Sequence, residues 1–250
     1  MTKSKKTPWT PGPPTPRAEG DAVHLWRVDL DVADNLVEDL RGLLSEDELA
    51  RADRFVYEIH GARFVVGRGV LRRLLAAYLG AQPESLRFGY GPKGKPRLEQ
   101  PDADGLQFNV SHSGGRALIA VSQGREVGVD VERINAERAA EAIARRFFAP
   151  AEVAEFLSLP DDERVVGFFN AWTRKEAYMK ATGQGLALGL DRFRVSLRPG
   201  EQAKLIETAW CREDVHRWSM QAFDPGAGFA AAVVAEGDRW NARFFDLRKA

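Results

Sequence analysis

The sequence predicts an α+β fold built as a pseudo-dimer of two similar halves, each a small, mainly antiparallel sheet packed against helices. Three observations carry that expectation. Short alternating segments recur beside long helical ones, the order of segments in residues 21–125 is repeated in 126–250, and particular residues echo between the two stretches. Arg54-Phe55 matches Arg146-Phe147, the run from Phe64 to Gly80 matches that from Phe168 to Gly183, and Ala117–Val121 resembles Phe229–Val234. A cleft between such halves is a common place for a ligand.

Residues 1–20 hold Lys3, Lys5 and Lys6 followed by Pro8, Pro11, Pro13, Pro14 and Pro16, with no apolar run, so they are expected to be a disordered tail rather than a signal peptide. Val23 to Leu30 alternates as a strand does. Ser45 with Glu48 is a capping-box pattern, predicted to open a helix running through Arg51, Arg54 and Phe55. A second helix is expected from Gly61 to Tyr78, stopped by Gly80. Leu86–Tyr90, Phe108–Val110 and Ala117–Val121 read as strands, with Gly114-Gly115 as a turn. The second half repeats this: a strand from Val127 to Ile134, a helix through Arg146-Phe147, a helix from Val165 to Thr182, and strands near Phe193, Leu205, Met220 and Ala231.

Composition excludes several function classes. Lys plus Arg and Asp plus Glu both number 36, so no overall basic field attracts a nucleic-acid backbone, and any anion site must be local. The only cysteine, Cys211, permits neither an intrachain disulfide nor a thiolate metal cluster, which favours a reducing cytoplasm. No window reaches the roughly 20 apolar residues of a membrane span.

Four motifs could carry chemistry. In Gly128-Val129-Asp130-Val131-Glu132 the two carboxylates share one face of a strand while Val129 and Val131 face a core. Two such charges about 4 Å apart repel by roughly 4 kcal/mol at an effective dielectric near 20, so they are either splayed to water or bridged by a cation. Along the second long helix, Trp172, Glu176 and Lys180 are spaced by four and share a face, as a surface ion pair would also be. Phe108-Asn109-Val110-Ser111-His112-Ser113 ends a strand in polar residues, with Asn109 and Ser111 on one face and His112 at the turn. Gly89 to Lys95 matches the phosphate-binding GxxxxGK loop until Pro96, which stands where a magnesium-ligating Ser or Thr is required and forbids a following helix start. What survives is an extended loop presenting Lys93 and Lys95.

Taken together and in this order, NVSHS, GVDVE and WTRKEAYMK resemble the motifs of the 4′-phosphopantetheinyl transferases of the surfactin-synthetase-activating (Sfp) type, over nearly the whole chain from Val23 to about Phe245. The resemblance implies a cytoplasmic monomer of two α+β halves that binds coenzyme A and magnesium between them, and whose partner is an apo acyl or peptidyl carrier protein. It implies Asp130, Glu132 and Glu176 as metal ligands, Lys180 at the pyrophosphate, and Lys95, Ser111 and His112 at coenzyme A, with His112 toward the 3′-phosphate. Arg51 occupies a basic position on the first helix, and Arg63 and Lys93 are further phosphate contacts. Glu48 departs from relatives that carry a cation there. The implied reaction transfers phosphopantetheine to a carrier serine, with Glu176 favoured as base and Lys180 stabilising developing charge. Magnesium's preference for carboxylate, phosphate and water oxygens suits three acids. A non-catalytic module that binds coenzyme A and a magnesium-dependent nucleotide hydrolase are the competing readings.

Overall fold

A computed structural model describes residues 7–91, 93–99, 103, 105–137 and 141–247. After a short strand β1 (Thr10–Pro11), the first half runs β2 (Ala22–Asp29), α1 (Asp34–Arg41), α2 (Glu46–Ala52), α3 (Glu58–Leu79), β3 (Phe88–Tyr90), β4 (Pro96–Leu98), β5 (Leu106–Ser113) and β6 (Arg116–Gln123). The second half runs β7 (Val127–Arg133), α4 (Glu141–Phe147), α5 (Pro150–Leu157), α6 (Asp161–Thr182), β8 (Phe193–Val195), β9 (Leu205–Thr208), α7 (Asp214–Arg217), β10 (Trp218–Phe223) and β11 (Phe229–Glu236), and β12 (Asn241–Asp246) closes the chain.

Each half folds its first, last and penultimate long strands into one antiparallel order, β2-β6-β5 and β7-β11-β10. The two sheets face each other. On β6, Ala117, Ile119 and Val121 point to a core shared with α3, while Leu118 and Ala120 point to an inner core with Val129, Val131 and Val233. A strand with one face on helices and the other on a second sheet has little reason to alternate with polar residues, which is why β6 is nearly all apolar.

The long helices repeat in detail. Both α3 and α6 end at a glycine in the left-handed region, Gly80 (φ 64°) and Gly183 (φ 67°), a conformation that spares glycine the Cβ clash. At matching positions along them stand two buried cations, Arg72 and Lys175. Each pairs with the glutamate in the third position of the preceding helix, Arg72 with Glu48 and Lys175 with Glu152, both at 2.7 Å. Those glutamates also accept the N-cap amides of Ser45 and Ala149, so one carboxylate ties a helix start to its neighbour in each half.

Several expectations are corrected. The helix opened by Ser45 ends at Ala52 instead of running through Phe55, because Phe55, Val56 and Tyr57 are poor helix formers, and the next helix starts at Glu58 rather than Gly61. Helices α1 and α5 were not anticipated. A last strand that was not expected, in the stretch 126–250 assigned to the second half, joins the first sheet and pairs in parallel with β2. Of the predicted tail, residues 1–6 lie outside the described residues, but the rest is not free. Thr10 and Pro11 pair with β12, and Trp9 packs edge-on against Phe244, donates to Asp224 O at 2.8 Å, and lies under the Arg27 guanidinium. An open strand edge beside aromatic rings gives this segment something to bury that composition alone does not reveal.

Candidate active site

Helix α6 lies against β7 because Gly128 permits it. A Cβ at that position would stand 2.2 Å from Ala177 O and 2.3 Å from Ala181 N. Strand alternation turns Asp130 and Glu132 to the same side as Gly128, so the close approach brings the next polar positions of the helix, Glu176 and Lys180, over the carboxylates.

Lys180 Nζ donates to Asp130 Oδ1 at 2.7 Å and to Ser111 Oγ at 2.9 Å, and Ser111 donates to the same Asp130 oxygen at 2.8 Å. The surface pair Glu176–Lys180 allowed by the sequence does not form; Lys180 reaches across to β7 instead. Glu132 accepts from Ser113 Oγ at 2.7 Å. Burial, followed by the negative charge of Asp130, pushes the Glu176 carboxyl up to about 7, with Lys180 opposing the rise and Glu132 adding to it. A cleft of about 770 Å³ opens here between the halves, and Lys93, Lys95, Val110, Glu176, Met179 and Lys180 are among its walls.

The profile of the 4′-phosphopantetheinyl transferase superfamily matches residues 126–234, and that of the 4′-phosphopantetheinyl transferase N-terminal region matches residues 34–124, one for each structural half. The 4′-phosphopantetheinyl transferase HetI of Nostoc sp. (strain PCC 7120) is 42% identical over 238 residues, which are 95% of this chain and 97% of that one. The chain belongs to the 4′-phosphopantetheinyl transferase family. The transferase Sfp of Bacillus subtilis (strain 168) is 29% identical over 67% of this chain and 73% of its own. Among solved structures, the holo-[acyl-carrier-protein] synthase of Thermotoga maritima covers 46% of this chain and 64% of that one, at 26% identity and a TM-score of 0.33.

The remaining residues singled out in this transferase are not all brought together. Lys95 lines the cleft, but its ammonium protons are taken by Glu126 Oε2 at 2.6 Å, Ala181 O at 3.1 Å and Val127 O at 3.2 Å. It pins the β3–β4 hairpin of the first half to the second half. Lys93 is exposed at the same hairpin, which is itself a turn between two strands and not a phosphate-binding strand–loop–helix. His112 is exposed on the face of β5 that carries Val110, one alternate position beyond the cleft wall. Arg63 is held in a two-point pair by Asp31, at 2.6 and 2.9 Å, and Arg51 lies over the Phe64 ring at 5.1 Å. Arg51 and Arg63 are outside the cleft lining. Glu48 is turned inward, accepting from Arg68 and Arg72, and serves α2 and α3 rather than any ligand.

Asp130 Oδ2 is buried without a hydrogen-bond partner among the described residues, a vacancy that a hard cation would satisfy. Among the described residues, no three acidic, histidine or cysteine side chains are gathered as a finished metal cage, and Lys180 holds the other Asp130 oxygen. The acidic oxygens are of the type that a hard cation such as magnesium takes.

Sequence reasoning missed Asn109 and Ser113 as working residues. Both were visible on the alternating face of β5 but had no signal of what lay opposite.

Proposed function

We propose that this transferase moves the 4′-phosphopantetheine group of coenzyme A onto a serine of an apo acyl or peptidyl carrier protein, releasing adenosine 3′,5′-bisphosphate. The observation that carries the reading is the pairing of Lys180 on α6 with Asp130 on β7, fifty positions apart, beside a cleft whose walls include Glu176 and Lys180. Asp130, Glu132 and Glu176 would hold magnesium, which when bound neutralises phosphate oxygens.

The carrier serine hydroxyl attacks the β-phosphorus of coenzyme A. The bond from that phosphorus to the bridging oxygen breaks, and the bisphosphate carries away the electron pair. Lys180 turns from Asp130 to the pyrophosphate and stabilises charge growing on the leaving oxygen. Glu176, which lines the cleft beside Lys180, accepts the serine proton. Lys93 approaches the phosphates from the cleft wall. The nucleotide end follows β5 past Val110 to His112, with Arg63 and Arg51 beyond. The chain acts as a cytoplasmic monomer, both halves of the site coming from one polypeptide.

Intact-mass analysis of an apo carrier after incubation with the protein, coenzyme A and magnesium tests the proposal. A gain of one phosphopantetheine, with bisphosphate released only when carrier is present, is expected. Release of bisphosphate without carrier would favour a hydrolase instead.

A further inference from the structure

Strands β5 and β7 are the edges of the two separate sheets, and no main-chain ladder joins them among the described residues. Side chains join them instead. Val129 N donates to Asn109 Oδ1 at 2.9 Å, Val131 N to Ser111 Oγ at 3.3 Å, and Arg133 N to Ser113 Oγ at 3.0 Å. All three bonds keep the same offset in sequence, as neighbouring parallel strands do. Alternate side chains of one edge strand thus satisfy alternate amides of the other, and without them the Val129 and Val131 amides would be buried donors with no partner.

Two of these side chains do more. Ser111 passes its own proton to Asp130 while accepting from the next amide, Val131 N, and Ser113 does the same with Glu132 and Arg133 N. Each carboxylate is therefore gripped together with the backbone just beyond it, which fixes its direction relative to the strand. A hydroxyl offers one proton and two acceptor positions. Ser111 uses all three here, on Asp130, Lys180 and Val131 N.

We infer that Asn109, Ser111 and Ser113 are positioning residues: a side-chain seam that sets β5 in register with β7 and aims Asp130 and Glu132, with Ser113 acting on Glu132. Ser111 thereby orients an acid. The part concerning metal rests on the function proposed above. The register part does not.

Manganese(II), which favours the same carboxylate and water ligands as magnesium, can be titrated into the metal-free full-length chain and followed by electron paramagnetic resonance. Ser113→Ala should weaken manganese binding about tenfold, as loss of a group orienting a metal ligand does. Its melting temperature should stay near that of the parent, since the Arg133 amide is at the surface and water can replace the hydroxyl. Ser113→Thr, which keeps the hydroxyl, should restore binding. Unchanged binding in Ser113→Ala, or failure of threonine to restore it, overturns the aiming role. A parent that bound no divalent ion would contradict the proposed function, and the seam would then be decided by hydrogen exchange. In Asn109→Ala the Val129 amide should lose protection by tenfold or more while central amides of β11 keep theirs; unchanged protection of Val129 overturns the seam.

Discussion

Gly128 sits directly beneath Ala177, so near that even a methyl group at 128 would lie 2.2 Å from the Ala177 carbonyl oxygen. The obstruction is backbone, which cannot swing aside as a side chain can. Gly128→Ala should therefore lift α6 from β7, costing about 1–3 kcal/mol in urea unfolding as overpacking does. Transfer should fall further than stability, since Glu176 and Lys180 ride on the displaced helix. Transfer at the parent rate would mean that the helix–strand spacing does not matter to the site.

Lys175 is wholly buried, and its ammonium is shared by Glu152 at 2.7 Å, Leu190 O at 2.7 Å and Phe193 O at 2.5 Å. Lys175→Met keeps the stem but strands a buried carboxylate, so a loss of about 3–5 kcal/mol is expected. Adding Glu152→Leu should recover part of it. A double-mutant cycle in urea measures this, and strict additivity would contradict the pairing.

These glutamate–cation pairs show where sequence reading reaches its limit. Asp130 and Glu132 were legible because strand period alone puts them on one side, and the matched helices were legible because apolar spacing and a terminal glycine are local signals. The meaning of Lys95 and Glu48 was not. Both looked like candidates for a nucleotide contact or its loss, and both are used by partners far away in sequence. The return of β12 to the first sheet is likewise invisible, since no strand was expected at Asn241–Asp246 and nothing local says which sheet it would join.

The amino-terminal segment is the clearest case of a changed expectation. Its composition predicts that removing residues 1–20 has no effect, whereas Trp9 packs on Phe223 and Phe244 and Thr10–Pro11 covers β12. Removal should cost about 2 kcal/mol, roughly 4–8 °C in a chain of this size. Trp9→Ala should reproduce most of the fall in a thermal melt; an unchanged midpoint in both would return the segment to the status of a tail.

His24 gives the fold a pH dependence. Its Nδ1 lies 2.6 Å from the Tyr78 hydroxyl, which also accepts from Trp26 Nε1 at 2.9 Å, so the tyrosine proton goes to an unprotonated Nδ1. Burial, followed by Arg243, lowers the His24 pKa to about 4, with Glu19 opposing. The unfolded chain takes up this proton near pH 6.5 and the folded chain does not until about 4. The contribution is thus complete above pH 6.5 and is lost as pH falls toward 4, by an amount on the order of 3 kcal/mol. Urea midpoints at pH 7 and pH 5 should differ more for the parent than for His24→Gln. Equal pH dependence would remove His24 as the cause.

The most direct test of the central claim is the mass of an apo carrier incubated with coenzyme A, magnesium and either the parent or the variants Asp130→Ala and Glu176→Ala. Both changes remove carboxylates from the site without taking anything from the apolar cores, so both variants should melt cooperatively, as the parent does. The account predicts full conversion to the phosphopantetheinylated carrier with the parent and none above background with either variant over the same time. Conversion by either variant at a rate near the parent's would contradict a shared site built from β7 and α6.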